Sequence, residues 1–473
     1  MPISAALKSD LDGLSLEENP ALVRQKSRDF YWYSPVLKRQ LEAVTADAVV
    51  TVRSEAEVIR VLAAAFRHGV PVTPRGAGTG NYGQAMPLSG GLILNLAEMN
   101  KVTAVKPGVV VAEAGALLSA IDDAARPSGQ ELRLHPSTYR TASIGGFIAG
   151  GSGGVGSIRW GGLRDLGNVL RLRLVTMEAE PRVIELVGDE IQKAAHAYGT
   201  TGIITEVEMP LTAACDWVDV LVGFDDFVDA AHFCDGLAKQ DGLLTKEIGT
   251  VAAPLPHDYF LRHQKFIRRD QSVAILMVAP FAMPALEAFV ARHHRASLLY
   301  RSDLASDEDR KALPPAYELS WNHTTLRGLR VDPSITYLQV LYPAPDHLAR
   351  VAEMTAMFGD EVPGHLEFVR FDGAITCFGL PVVRYTTEER LEEIMRLHEA
   401  HGCPIFNPHR YTLEEGGMKR SDPVQLAFKR EADPKGLLNP GKMIAWEDPD
   451  FDFATQRTYL FPGLEETTDA TGA

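Results

Sequence analysis

Nine of the eighteen residues from Gly145 to Gly162 are glycine, and this density constrains the chain more than any other feature. Glycine loses more conformational freedom on folding than any other residue, so such a run is too costly for a stable helix or a packed strand interior. A flexible linker is the ordinary alternative, yet isoleucine, phenylalanine and valine sit inside the run, which linkers avoid. Bare backbone is expected where another molecule must lie against exposed amides.

An earlier glycine-rich stretch, 76–91, holds a formal GxGxxG from Gly78 to Gly83. A Rossmann reading needs that fingerprint to open a helix. Here Gln84-Ala-Met-Pro87 and Ser89-Gly-Gly follow, and no helix can start. A strand–glycine loop–strand remains, which serves either as an anion-binding concavity or as a ligand-free tight hairpin. Two such loops in one domain suit a long dinucleotide, with a diphosphate and a flat ring system lying along the amides.

Around these loops the pattern alternates. A β-rich run at 48–52 leads into an amphipathic helix at 54–68, with Ser54 as N-cap and Gly69 as stop. Strands are expected at 70–73, 91–96 and 109–112. Between 215 and 400 an apolar strand runs three times into an Asp/Pro-marked turn and a helix, as in VDVLVGF into DDFVDAAHFCDGLA. This reads as a layered α/β domain. The expected division is a lead-in at 1–45 carrying the aromatic cluster Phe30–Tyr33, a ligand-binding domain at 46–213, a cap or substrate domain at 214–400, a C-terminal segment at 401–446, and an acidic tail at 447–473.

Composition excludes several partner classes. Lys+Arg 47 against Asp+Glu 62 gives a net charge of −15, which repels nucleic acid and anionic membrane. Cys215, Cys234, Cys377 and Cys403 form no CxxC pair for zinc or an iron–sulfur cluster, and no disulfide framework. The longest apolar stretch, 272–286, is interrupted by Pro280 and Pro284, and acids stand where a signal peptide needs an apolar run. A cytoplasmic protein without membrane insertion is expected.

PRGAGTG with MPLSGGLILNL resembles the diphosphate-binding loop of FAD-dependent oxidoreductases of the vanillyl-alcohol oxidase type, and TASIGGFIAGGSGG with RWGGLRD resembles their second loop. Tyr198-Gly-Thr-Thr-Gly-Ile-Ile204-Thr-Glu is similar to the family's third FAD contact, and Asp433-Pro-Lys-Gly-Leu-Leu-Asn-Pro-Gly-Lys442 to its C-terminal signature. The branch most resembled contains the glycolate and D-lactate dehydrogenases. The resemblance implies an α+β chain: a two-subdomain PCMH-type FAD-binding domain, an α/β cap with antiparallel sheet, and a C-terminal segment returning to the FAD domain. It implies FAD contacts at Arg75, Gly76, Ala77, Gly78, Thr79, Gly80 and Gln84 around the diphosphate. Thr138, Ser143, Gly146, Ala149 and Gly153 would line a second wall, with Ile204 at the flavin and Asn439 also in contact. Thr79 stands where covalent relatives carry histidine, so non-covalent FAD is expected.

The resemblance has two gaps. The His-x-Gly-Asp-x-Asn-x-His metal pattern of D-2-hydroxy-acid oxidising relatives is absent, with Gly364-His365-Leu-Glu-Phe its nearest stretch, so no metal is expected. The branch's Glu-His-Gly element is replaced by Asn407-Pro-His409-Arg-Tyr411.

Flavin oxidation of an alcohol needs a proton acceptor beside the hydride acceptor. Residues 405–413 read as a strand, which puts His409 and Tyr411 on one face and Arg410 on the other. His409 is then either the base or a strand-end histidine bonded to backbone, and Arg410 holds a carboxylate, a phosphate or simply the structure. In the cap, Tyr317, Trp321, His323, Arg327 and Arg330 suit an anionic or aromatic substrate, or else the interface between cap and FAD domain. The leading expectation is oxidation of a CH–OH group of a small anionic, hydroxy-acid-like substrate. The alternatives are a phenolic or aromatic alcohol, and a flavin-carrying subunit that needs a partner protein for turnover. The electron acceptor and homo-oligomer formation stay open.

Overall fold

The computed structural model describes residues 3–416 and 421–453; the acidic stretch 454–473 lies outside them. The first sheet is four-stranded and built mainly from parallel strands. Ala48–Thr51 and Val72–Arg75 flank Leu92–Asn95 in parallel, and Ser15–Glu17 adds an antiparallel edge. The helix Glu55–His68 covers it as the apolar spacing required: Val58, Val61, Leu62 and Ala65 are buried. Ser54 caps that helix by accepting from the Glu57 amide, and Gly69 ends it at φ +63°. The N-terminal lead-in is built into the body: its strand joins this sheet, and Phe30 and Tyr33 pack with the second core.

A second, antiparallel sheet follows, centred on the long strand Ile203–Ala213 between Val109–Glu113 and Arg171–Val175. The third sheet is seven-stranded and antiparallel, running from Ser297–Arg301 through Val218–Phe224, Ser272–Val278, Thr245–Val251, His365–Phe371 and Ala374–Gly379 to Val340–Tyr342. The three strand–turn–helix units read from the sequence contribute to this sheet, their helices being Phe227–Ala238, Met283–Arg292 and His347–Phe358.

Two local expectations are corrected. The second glycine stretch does contain a helix, Ile144–Gly150. Its apolar residues Ile144, Phe147 and Ile148 are buried, so tertiary packing supplies what glycine propensity withholds. A Cβ at Gly145 would press on Ala114, which makes glycine the condition for that packing rather than a defect. Residues 405–413 are not a strand: only Ile405 makes a bridge, to Val340, and the chain then turns.

One buried ion pair ties the third sheet to the second. Lys246, on a third-sheet strand, donates from Nζ to Glu131 Oε1 at 2.6 Å and to the Leu132 carbonyl at 3.0 Å; both charged residues are almost fully buried. Trp217 Nε1 donates to the same carboxylate oxygen at 2.8 Å, and Arg126 to the other at 3.0 Å. Among the described residues, no helix is long and apolar enough to cross a membrane. Lys246→Met leaves Glu131 short of its closest buried counter-charge and is expected to cost about 3 kcal/mol, read as a lower midpoint in chemical denaturation.

Candidate functional site

A cavity of about 220 Å³ lies where the three sheets approach one another. One side is the first glycine loop, Pro74 to Asn81 with Tyr82, Gln84 and Ala85. Another is the second glycine stretch, from Pro136 through Gly153. His196, Tyr198, Gly199, Gly202 and Ile204 form the floor, and Trp321, Asn322, Gln339, Phe378, Leu380 and Phe406 close the cap side. Asp29, Phe30 and Tyr33 enter from the N-terminal region.

The glycines are dictated by this geometry. A Cβ at Gly76 would overlap Ser143 Oγ, one at Gly78 the Arg75 guanidinium, and one at Gly80 the Gln84 side chain. Gly78 also sits at φ +70°, which side chains rarely adopt. The two loops are stitched together where they meet: the Ala77 amide donates to Ser143 Oγ at 3.4 Å and Gln84 Nε2 to the Gly150 carbonyl at 3.4 Å.

Among the described residues, the amides of Gly78, Thr79 and Gly80 donate to no protein acceptor. The hydroxyls of Tyr82 and Tyr198 and the side-chain Oδ1 of Asn322 are buried without a hydrogen-bond partner. Unsatisfied polar groups of this kind are costly unless something else binds them. Backbone donors on a glycine loop, facing aromatic and apolar walls, fit a diphosphate joined to a flat ring.

Of the cofactor residues expected from the sequence, Arg75, Gly76, Ala77, Gly78, Thr79, Gly80, Gln84, Thr138, Ser143, Gly146, Ala149, Gly153 and Ile204 line the cavity. Asn439 does not; its side chain donates to the Gln84 and Tyr198 carbonyls behind the wall. The residues put forward for catalysis fare differently, for His409, Arg410, Tyr411 and His323 all lie off the lining. Nε2 of His409 donates to the Tyr337 carbonyl at 3.0 Å, and Nδ1 is 2.7 Å from Ser34 Oγ. With both nitrogens committed, and with burial pushing its pKa down to about 3, His409 stays a neutral structural histidine. Arg410 turns to Glu392 and Glu415. Tyr411 packs under Lys442, and burial holds His323 down at about 4.

The cap cluster splits between the two roles left open for it. Tyr317 is interface: Arg140 Nε donates to its hydroxyl at 3.1 Å, and its ring meets Tyr139 and His135. Trp321 lines the cavity and is held at φ +51° by two buried carboxylates. Its amide donates to Glu367 and its indole N–H to Glu247 at 3.1 Å. Burial raises both acids, and His365 Nε2 lies 2.7 Å from Glu367 Oε1. Sequence reasoning singled out Trp321 for the cap cluster but not Asn322, Gln339, Phe378 or Phe406, which no local motif joins.

Residues 46–185 match the family model of the FAD binding domain. The chain is 34% identical over 184 residues to an FAD-linked oxidoreductase of Mycobacterium tuberculosis, a match spanning 36% of this chain and 39% of that one. Similarity to the glycolate oxidase subunit GlcD of Bacillus subtilis runs further, at 29% identity over 84% of this chain and 89% of the relative. Among solved structures, alkyldihydroxyacetonephosphate synthase superposes with a TM-score of 0.69 over 93% of this chain and 85% of that one; at 16% identity this is a likeness of fold. The fold and site thus define an FAD-binding protein of mixed helix and sheet. Residues 46–185 carry an FAD-binding domain, the chain spans about two fifths of the length of the Mycobacterium relative it matches, and over most of its length it is similar to an FAD-linked oxidoreductase subunit.

Gly78→Ala puts a Cβ into the Arg75 guanidinium at a left-handed φ, and the strain of about 1–3 kcal/mol falls on the first glycine loop. The expected result is about a five- to hundredfold loss of FAD affinity, measured by flavin fluorescence titration of apoprotein that keeps its far-UV circular dichroism.

Proposed function

We propose that this enzyme oxidises the CH–OH group of a small 2-hydroxy acid by hydride transfer to the flavin, in the cytoplasm. The observation that carries this reading is the similarity to the glycolate oxidase subunit, which extends over the cap strands as well as the FAD-binding residues. Non-covalent FAD supplies the two-electron acceptor when bound, and the chain's own groups bind and orient. Arg75 to Gly80 and Gln84 wrap the diphosphate, while Thr138, Ser143, Gly146, Ala149 and Gly153 line the opposite wall. Ile204 meets the ring system through its backbone. The first two sheets act as the two subdomains of a PCMH-type FAD-binding domain. The cap wall of Trp321, Asn322, Gln339, Phe378 and Phe406 faces the substrate and excludes water from the transfer.

A specific observation supports a second reading, an aromatic or phenolic alcohol. Among the described residues Arg75 is the one cationic side chain on the cavity lining, and it bonds the Arg28 and Ala77 carbonyls. Eight aromatic residues line the cavity instead, among them Phe30, Tyr33, Trp321, Phe378 and Phe406. A partner protein is proposed as electron acceptor, in keeping with the relative's being named a subunit.

Anaerobic mixing of the holoenzyme with glycolate, D-lactate and vanillyl alcohol separates these readings. Bleaching of the flavin band near 450 nm (~450 nm) by a hydroxy acid alone supports the first, and bleaching by vanillyl alcohol alone replaces it with the second. Bleaching without turnover on oxygen or artificial dyes supports the need for a partner.

A further inference from the structure

The segment that follows the last long helix reaches the first glycine loop from behind. Leu438 bridges Val72 in parallel, and the Asn439 amide donates to the Val72 carbonyl at 2.9 Å. Asn439 Nδ2 donates to the carbonyls of Gln84 and Tyr198, each at 2.8 Å, and so joins the loop to the cavity floor. Lys442, wholly buried, donates from Nζ to the Gly83 carbonyl at 2.6 Å, with the Tyr411 ring 5.0 Å away. Neither Asn439 nor Lys442 lines the cavity.

The same place holds an unusual charge arrangement. Asp29 lines the cavity with its carboxylate accepting from the amides of Tyr31, at 2.9 Å, and Ala85, at 3.2 Å. An unbalanced carboxylate there would repel an anionic ligand. Arg75 and Lys442 both act on it electrostatically. Arg75 is spoken for by the Arg28 carbonyl beneath Gly78, which leaves Lys442 as the adjustable charge.

We propose that residues 438–442 form a latch on the FAD site: Asn439 pins the diphosphate loop to the floor, and Lys442 fixes Gly83 while cancelling the charge of Asp29, so that latch closure and FAD binding favour each other. Asn439 and Lys442 are positioning residues, since they act through the loop. The inference rests on FAD as the cofactor and not on the choice of substrate.

Burial drives the Lys442 ammonium down to about 7 and the Asp29 carboxyl up to about 6. The groups facing Lys442 are Asp29 from the N-terminal turn, the Gly83 carbonyl from the loop and the Tyr411 ring, with Arg75 on the far side of Asp29 and Tyr198 near both Asp29 and Glu414. A diphosphate nearby favours the charged lysine, so FAD binding draws a proton onto Lys442. Affinity is then highest below pH 7 and falls as pH rises above the titration of the free protein.

The test is the dissociation constant of FAD for full-length apoprotein by flavin fluorescence at pH 7 and pH 9, both above the Asp29 titration. Native protein is expected to bind about ten- to fiftyfold more weakly at pH 9. Lys442→Arg, whose guanidinium keeps its charge, should bind with little change between the two pH values, and Lys442→Gln should bind weakly at both. Asn439→Ala should weaken binding at both while keeping the native slope. A native-like slope in Lys442→Arg, or native affinity in Lys442→Gln, overturns the latch. If Lys442→Gln does not fold, the slope of Lys442→Arg decides alone. Failure of native protein to bind FAD at either pH would instead overturn the cofactor reading.

Discussion

The structure depends on two stretches of backbone approaching each other more closely than side chains permit. The approach shows at Gly76, where a Cβ would overlap Ser143 Oγ of the other stretch; Gly78, Gly80, Gly146 and Gly153 leave room for side chains of their own stretch, and Gly145 for Ala114. Their closeness leaves a slot whose donors are amides, and these have fixed direction and need no rotamer ordering when a ligand arrives. Conformational entropy lost by the glycines is offset by what surrounds them. Ile144, Phe147 and Ile148 anchor one stretch in the second core, and the first sheet anchors the other at Arg75. Rigid neighbours hold a sequence that would not hold itself.

Around this slot the chain carries buried charge, which low-dielectric surroundings make expensive unless it is paired. Three cases have partners from a distant part of the sequence: Lys246 with Glu131, Lys442 with the Gly83 carbonyl near Asp29, and Glu367 with the Trp321 amide. These contacts act where sheets or segments meet. A mismatch there would leave an uncompensated charge, so they specify which surfaces dock as well as holding them together.

The legible part of the molecule was the part written in short range. The helix at Glu55–His68 could be read because its cap, its apolar spacing and its terminal glycine lie within one window. The glycine loops were legible for the same reason, down to the residues that line the cavity. What failed were inferences about orientation. Residues 405–413 alternate as a strand would, yet only Ile405 finds a pairing partner, and His409 turns inward to Ser34 and Tyr337, residues far away in sequence. Helix formation at Ile144–Gly150 was hidden because propensity was read without the packing against Ala114 that overrides it. Most of the cap wall was hidden because Gln339, Phe378 and Phe406 come from separate elements, while Trp321, named from the sequence, is held in place by Glu247 and Glu367 on two separate strands.

The bond between Lys442 and the Gly83 carbonyl joins positions 359 residues apart. Chains are made from the amino terminus, so on the ribosome the whole stretch 46–185 emerges long before the lysine that ties down its loop. During that interval the glycine loop has its sheet but lacks its fastening, and the carboxylate of Asp29 has only Arg75 of its two cations. With the latch proposed above, a fragment cut after residue 213 would carry the glycine motifs without the residues that fasten them.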